Sequence, residues 1–240
     1  MKNRRILYIF FFLIIIITGC SKDESDNINV KEIVNDDLTI NTLKNQVSIL
    51  VNLDSIREGL SKDKFDTKNI NDLDKIRYGV LYKTNQGGLQ ILDDNQLEEA
   101  KKYKINSKVE YIDISEINKY ITSVFGPYNI NYKSIYSCPK YIYNENKNIY
   151  YIDNNCKTYN NYTTIYIDEI TKLNNNYYVN LYIGYIIDNK LYKDINNNHQ
   201  ISNNILEISE SNKNNFNSYT FLFKKNSDGN YIFTNLEKNK

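Results

Sequence analysis

The sequence holds three cysteines, Cys20, Cys138 and Cys156, and one histidine, His199. Acid–base catalysis wants a group titrating near neutrality, and a nucleophile wants a base beside it. His199 stands in "DINNNHQISNN", a polar stretch that reads as an exposed loop. Asp153, Asp168 and Glu169 lie on or near runs that read as strands, where two of them could serve as acid and base. With 29 acidic residues in the chain, such neighbours also arise by chance. Tyr178 and Tyr182 offer a different chemistry. Exposed on the outer face of a sheet, they could stack on a sugar ring or anchor a peptide or protein partner. The plainer reading is that Tyr, of which there are 23, simply suits strands. No cofactor is called for.

The segment between Cys138 and Cys156 reads as a hairpin: "KYIY" and "NIYYI" flank the polar "NENK". Centred near Lys147, it sets Tyr143 opposite Tyr151, Tyr141 opposite Asp153, and Cys138 opposite Cys156. Directly opposed Cβ atoms lie about 4.5–5.5 Å apart, which with slight adjustment suits a disulfide. Such a loop would stabilise by roughly 3 kcal/mol in the chain-entropy account. Two unpaired thiols are the alternative. Zinc is disfavoured by the single histidine and the lack of a second cysteine pair.

Residues 194–202 resemble a calcium-binding loop in part, with Asp194, Asn196 and Asn198 at alternate positions. His199 stands where the sharp turn wants Gly, and Ile205 replaces the closing bidentate Glu. No metal is expected.

The strongest signal is at the start. Lys2, Arg4 and Arg5 precede the apolar run "ILYIFFFLIIII" at residues 6–17, then Thr18-Gly19-Cys20. That is the three-part layout of an export signal. Twelve residues rise about 18 Å as a helix, short of the ~30 Å hydrocarbon core, so a spanning helix is the weaker reading. Ile17-Thr18-Gly19-Cys20 resembles the lipobox of bacterial lipoproteins. The resemblance implies cleavage between Gly19 and Cys20 and a diacylglyceryl group, with palmitate-type chains, on the Cys20 thiol. It also implies a protein held at the cell membrane and facing the extracytoplasmic side. Two acyl chains give stable anchoring where one is marginal. An exported chain can oxidise its cysteines. The polar "SKDESDNIN" that follows reads as a flexible tether.

Charge argues against nucleic acid as a partner. The chain has 30 basic and 29 acidic residues, and three of the basic ones precede Cys20, leaving 27 against 29 beyond it. Asn occurs 40 times, so motifs built from it arise easily by chance.

The period of the apolar pattern changes along the chain. Residues 31–126 predict helices at 42–60, 71–85 and 94–104, with the clearest over "DISEINKYITSVFGP". There Ile117, Tyr120, Ile121, Val124 and Phe125 share one face, Asp113 and Glu116 suit a capping box, and Gly126-Pro127 ends the run. Residues 127–240 alternate with period 2. Tyr177, Val179, Leu181, Ile183, Tyr185 and Ile187 predict one face of a strand whose partner is 162–170. Asp228-Gly229 predicts a hairpin with Tyr219, Phe221 and Phe223 on the same side as Ile232, Thr234 and Leu236.

The expectation is therefore a signal peptide at 1–19, a tether at 20–30 and one α+β domain at 31–240, with N-terminal helices packed on a C-terminal curved antiparallel sheet. The order loosely resembles cystatin-like and nuclear-transport-factor-like folds, which host enzymes, binders and inhibitors alike. The functional expectation is a lipid-anchored binding module for a protein, peptide or glycan. The alternatives are a cell-surface hydrolase with a carboxylate pair, or an inhibitor or immunity-type protein.

Overall fold

The computed structural model describes residues 30–62, 64–155, 162–196, 199–204 and 206–239. Lys31–Lys240 form one unit, and Met1–Val30 form another, of which only Val30 is described. Gly19, Cys20 and the tether as far as Asn29 thus lie outside the described residues, as do Cys156, Asn198 and Ile205.

The fold is mixed α+β, with the helices N-terminal to the main sheet. Helix α1 (Asp37–Leu50) starts where the Asp36 carboxylate accepts the Thr39 N–H at 3.0 Å, and it buries Leu43, Val47 and Leu50 along one stripe. The run expected to be one helix over 42–60 is two. Val51–Leu53 turn the chain, and the Asn52 amide binds the Ser48 carbonyl and takes the Thr163 N–H at 3.0 Å. Helix α2 (Asp54–Gly59) then has no side-chain cap of its own. Helix α3 (Asp72–Asn85) is capped by Asn71, and α4 (Asp94–Ala100) by the reciprocal Asp93–Gln96 box. Helix α5 (Ile114–Phe125) buries Ile117, Ile121 and Val124 as expected. Asp113 leads it without a side-chain bond, so the expected capping box is not formed. Gly126, at φ 77°, stops it in a conformation that costs other residues strain.

Twelve strands make two antiparallel sheets among the described residues. The first half contributes more than helices. Its strands β1 (Glu32–Ile33), β2 (Lys64–Asp66), β3 (Gln90–Ile91) and β4 (Glu110–Asp113) run two to four residues, too short to show a period. The larger sheet has the order β1, β7 (Tyr162–Leu173), β8 (Asn176–Ile187), β11 (Asn217–Lys225), β12 (Tyr231–Lys238), β2. Strand β9 (Lys190–Tyr192) adds to β8, and β10 (Gln200–Ser202) to β9. The β8–β9 turn sets both Asp188 and Asn189 at positive φ, the conformation of a tight right-twisting hairpin. The smaller sheet runs β3, β4, β6 (Ile149–Asp153), β5 (Lys140–Asn144).

Two registers differ from expectation. The β5–β6 ladder pairs Lys140 with Asp153, Tyr141 with Ile152 and Tyr143 with Tyr150, one residue away from the expected match. The cause is the loop: Asn144 accepts the backbone N–H groups of Asn146 and Lys147, and Asn148 takes positive φ. These local bonds close a four-residue connection in place of an odd one. In the terminal hairpin Phe221 faces Leu236 as expected, but a bulge skips Thr234 and pairs Phe223 with Phe233. Tyr231 and Phe233 therefore turn into the core in place of Ile232 and Thr234.

The larger sheet buries Val179, Leu181, Ile183, Phe221, Phe223 and Phe233 against α1, α2 and the side chains Tyr78 and Val124. Ile76 and Val80 of α3, and Ile117 and Ile121 of α5, pack instead with Ile112, Tyr141, Tyr150 and Ile152 of the smaller sheet. Helices α3 and α5 thus supply both cores. They meet at Gly79, where a Cβ would lie 2.8 Å from Ile117 Cγ2 and 3.0 Å from its carbonyl oxygen. Leu92, Ala100 and Ile105 cover the other side of the smaller sheet through Ile142, Ile149 and Tyr151.

Candidate functional site

The residues singled out from sequence do not converge. Asp153 ends β6 in the smaller sheet and pairs with Lys140 at 3.4 Å. Asp168 and Glu169 are on β7 of the larger one, at a bulge. Asp168 is bound by Lys213, which also binds Glu210 at 2.8 Å. His199 is exposed, with its Nδ1 2.9 Å from Asp194 Oδ2. Among the described residues no three His, Cys, Asp or Glu side chains form a metal-sized group. No helix among them is long and apolar enough to cross a membrane.

Cys138 is disulfide-bonded and precedes a cis peptide to Pro139. The ladder it was expected to extend, continued at the observed register, would set it against Asn155 and one residue short of Cys156. The direct opposition inferred from sequence is therefore not the observed register, and the identity of the partner stays a proposal.

Tyr178 and Tyr182 lie on the same side of β8, but neither stands free. Lys31 Nζ sits 3.7 Å from the centre of the Tyr178 ring. Tyr182 packs beside Ile186, Leu191, Ile208 and Phe216, because residues 206–216 fold back over this face. The Lys213 ammonium clips that segment down, linking Asp168 of β7 to Glu210, which also accepts the Tyr166 hydroxyl. Lys213 and Tyr166 together hold the Glu210 carboxyl below its ordinary range, Lys213 contributing more.

A trough lies elsewhere, where α1, α3 and α5 meet the β11–β12 turn. It comprises two adjoining cavities of about 530 and 260 Å³ that share Tyr82, Ser123 and Asn230. The outer one is walled by Tyr82 and Tyr120, whose ring centres are 4.8 Å apart with planes inclined by 31°. The inner one is bounded by Leu38, Thr39, Thr42, Gln46, Lys225 and Tyr231. The bulge in β12 is what brings Tyr231 here. Its hydroxyl is 2.7 Å from Thr39 Oγ1, and its ring stands edge-on to Tyr177 at 4.9 Å.

Two hydroxyls in the trough are committed as donors. Thr42 Oγ1 donates to the Leu38 carbonyl at 2.7 Å, and Ser123 Oγ to the Tyr120 carbonyl at 2.8 Å. Each hydroxyl keeps lone pairs to accept. The Lys225 ammonium is held above its ordinary range chiefly by its bond to the Tyr231 hydroxyl. Asp36 is pulled below its own range, first by the Thr39 hydroxyl and then by the Thr39 N–H. Gln46 is 2 % exposed, and its Oε1 is buried with no hydrogen-bond partner. A buried acceptor left so costs about 1–3 kcal/mol.

The sequence carried a partial signal for this site. Tyr120 falls on the apolar stripe of α5, and Gln46 interrupts the stripe of α1 between Leu43 and Val47. Their meeting with Tyr231 is tertiary and left no pattern. The chain matches no protein-family model, no curated protein and no solved structure, so resemblances of layout carry no argument about its activity, and the site is read on its own geometry.

Proposed function

We propose that the chain is a lipid-anchored extracytoplasmic binding module whose ligand seats in the trough between α1, α3, α5 and the β11–β12 turn. The observation that supports binding is the pair of tyrosines, Tyr82 and Tyr120, walling a cavity of about 530 Å³ with polar groups at its edge. The anchor rests on the lipobox-like Ile17-Thr18-Gly19-Cys20. A disulfide between Cys138 and Cys156 belongs to the same reading, since it needs an oxidising compartment. Asp153 belongs to a different sheet from Asp168 and Glu169, so the structure gives no support to a carboxylate pair that includes it.

The binding test uses the full chain purified in detergent and insoluble cell-envelope material. Sedimentation with the envelope should be lost in Tyr120→Ala, a half-buried position at the cavity wall. Equal sedimentation of the variant, or none by the parent, would overturn the trough as the binding face. The anchor is tested separately by feeding an alkyne fatty acid to cells: label on the parent and none on Cys20→Ala supports it. Iodoacetamide without reductant should leave Cys138 and Cys156 unmodified even in denaturant, and modification of both would remove the bridge.

A further inference from the structure

We infer that the inner part of the trough is a saccharide subsite, in which a sugar hydroxyl donates to Gln46 Oε1. This rests on the trough being the binding face. Three features of the lining select the ligand class.

First, the inner lining offers open acceptors. Gln46 Oε1 is buried and unpartnered, and the Thr42 and Ser123 hydroxyls already spend their protons on main-chain carbonyls. A ligand that fits must bring several donors, and a pyranose carries a rim of hydroxyls. Second, the charged groups of the inner lining are one of each sign, the Asp36 carboxylate and the Lys225 ammonium, so the subsite carries no net charge that would select an ionic ligand. Third, Tyr82, Tyr120 and Tyr231 give the trough aromatic walls beside its polar groups. That suits the C–H face of a sugar ring, which is apolar while its edge is polar.

Gln46 discriminates this from an ordinary packing role. A side chain kept for the fold should lose stability when replaced. One kept for a ligand should not, because its oxygen makes no bond in the free protein. Gln46→Leu is similar in size and removes the orphan acceptor.

The experiment applies full chain in detergent, parent and variants, to an array of neutral oligosaccharides and to unglycosylated peptides, with melting temperatures measured alongside. Expected is saturable binding of the parent to a neutral glycan. It should weaken about tenfold or more in Gln46→Leu, with a melting temperature unchanged or raised. Tyr120→Ala should weaken the same binding. Absence of any neutral-glycan binding, or equal binding by Gln46→Leu, would overturn the inference. So would a lowered melting temperature with unchanged affinity. Peptide binding that is lost in Tyr120→Ala while glycans fail would overturn the saccharide and leave the trough as the binding face. Failure of both ligand classes would sink the two together.

Discussion

Two buried polar side chains, Asp74 and Gln46, sit on neighbouring helices and are treated in opposite ways. Asp74 is 0 % exposed and fully employed. Its carboxylate takes the Ser55 N–H at 2.7 Å and the Asp54 N–H at 3.4 Å, and so caps α2 from α3. Asn71 and Arg77 supply further donors, and Arg77 also binds Asp54 and, at 2.6 Å, the Ser137 hydroxyl. Gln46 is buried almost as deeply, yet its oxygen has no donor. The first arrangement holds helices together. The second leaves the oxygen without a bond in the free fold. Burial alone therefore does not separate these two side chains; the count of satisfied partners does.

The contrast can be broken at several points. The largest effect is expected for Asp74→Ala, which strands the α2 N–H groups and should destabilise by about 3 kcal/mol in urea unfolding. A loss below about 1 kcal/mol would show that water replaces the carboxylate easily. Asp74→Asn keeps one acceptor and should lose roughly half as much. Next comes Gly79→Ala, which tests the helix contact beneath both sites. Its new methyl meets the Ile117 backbone, and about 2 kcal/mol of overpacking is expected by the same assay. Gln46→Leu should lie at the other end, with a melting temperature at or slightly above the parent's.

The smallest effect concerns the clip over the outer face. Glu210 titrates below its ordinary value in the folded chain, so its contribution is present above the unfolded value and lost as pH falls through the folded one. Hydrogen exchange of residues 206–216 should hold steady down to about pH 5 and quicken only below the ordinary glutamate range of about 4.3. Loosening well above that range would detach the clip from Glu210.

The face of α5, the helix over 72–85 and the β7–β8 pairing follow from periodicity, because burial on one side is a repeating constraint. The cap on α2 does not, since Leu53 stands at its start and the capping carboxylate is in another helix. The β5–β6 register turned on the Asn144 side chain closing an even loop, a choice no alternation records. The bulge at Thr234 inverted the faces of β12 near its start, so Tyr231 and Phe233 point inward where Ile232 and Thr234 were expected. The trough was hidden for the same reason: it needs that inversion together with three helices distant in sequence. Tyr178 and Tyr182 were legible as a stripe on β8, but not the segment that folds over Tyr182.

The helices α3 and α5 belong to both cores, while no strand ladder joins the two sheets among the described residues. Neither sheet can then come away alone without baring a face of the same pair of helices. Melting should pass through one transition reported alike from either side, and a ligand gripping α3 and α5 would slow the opening of strands it never touches.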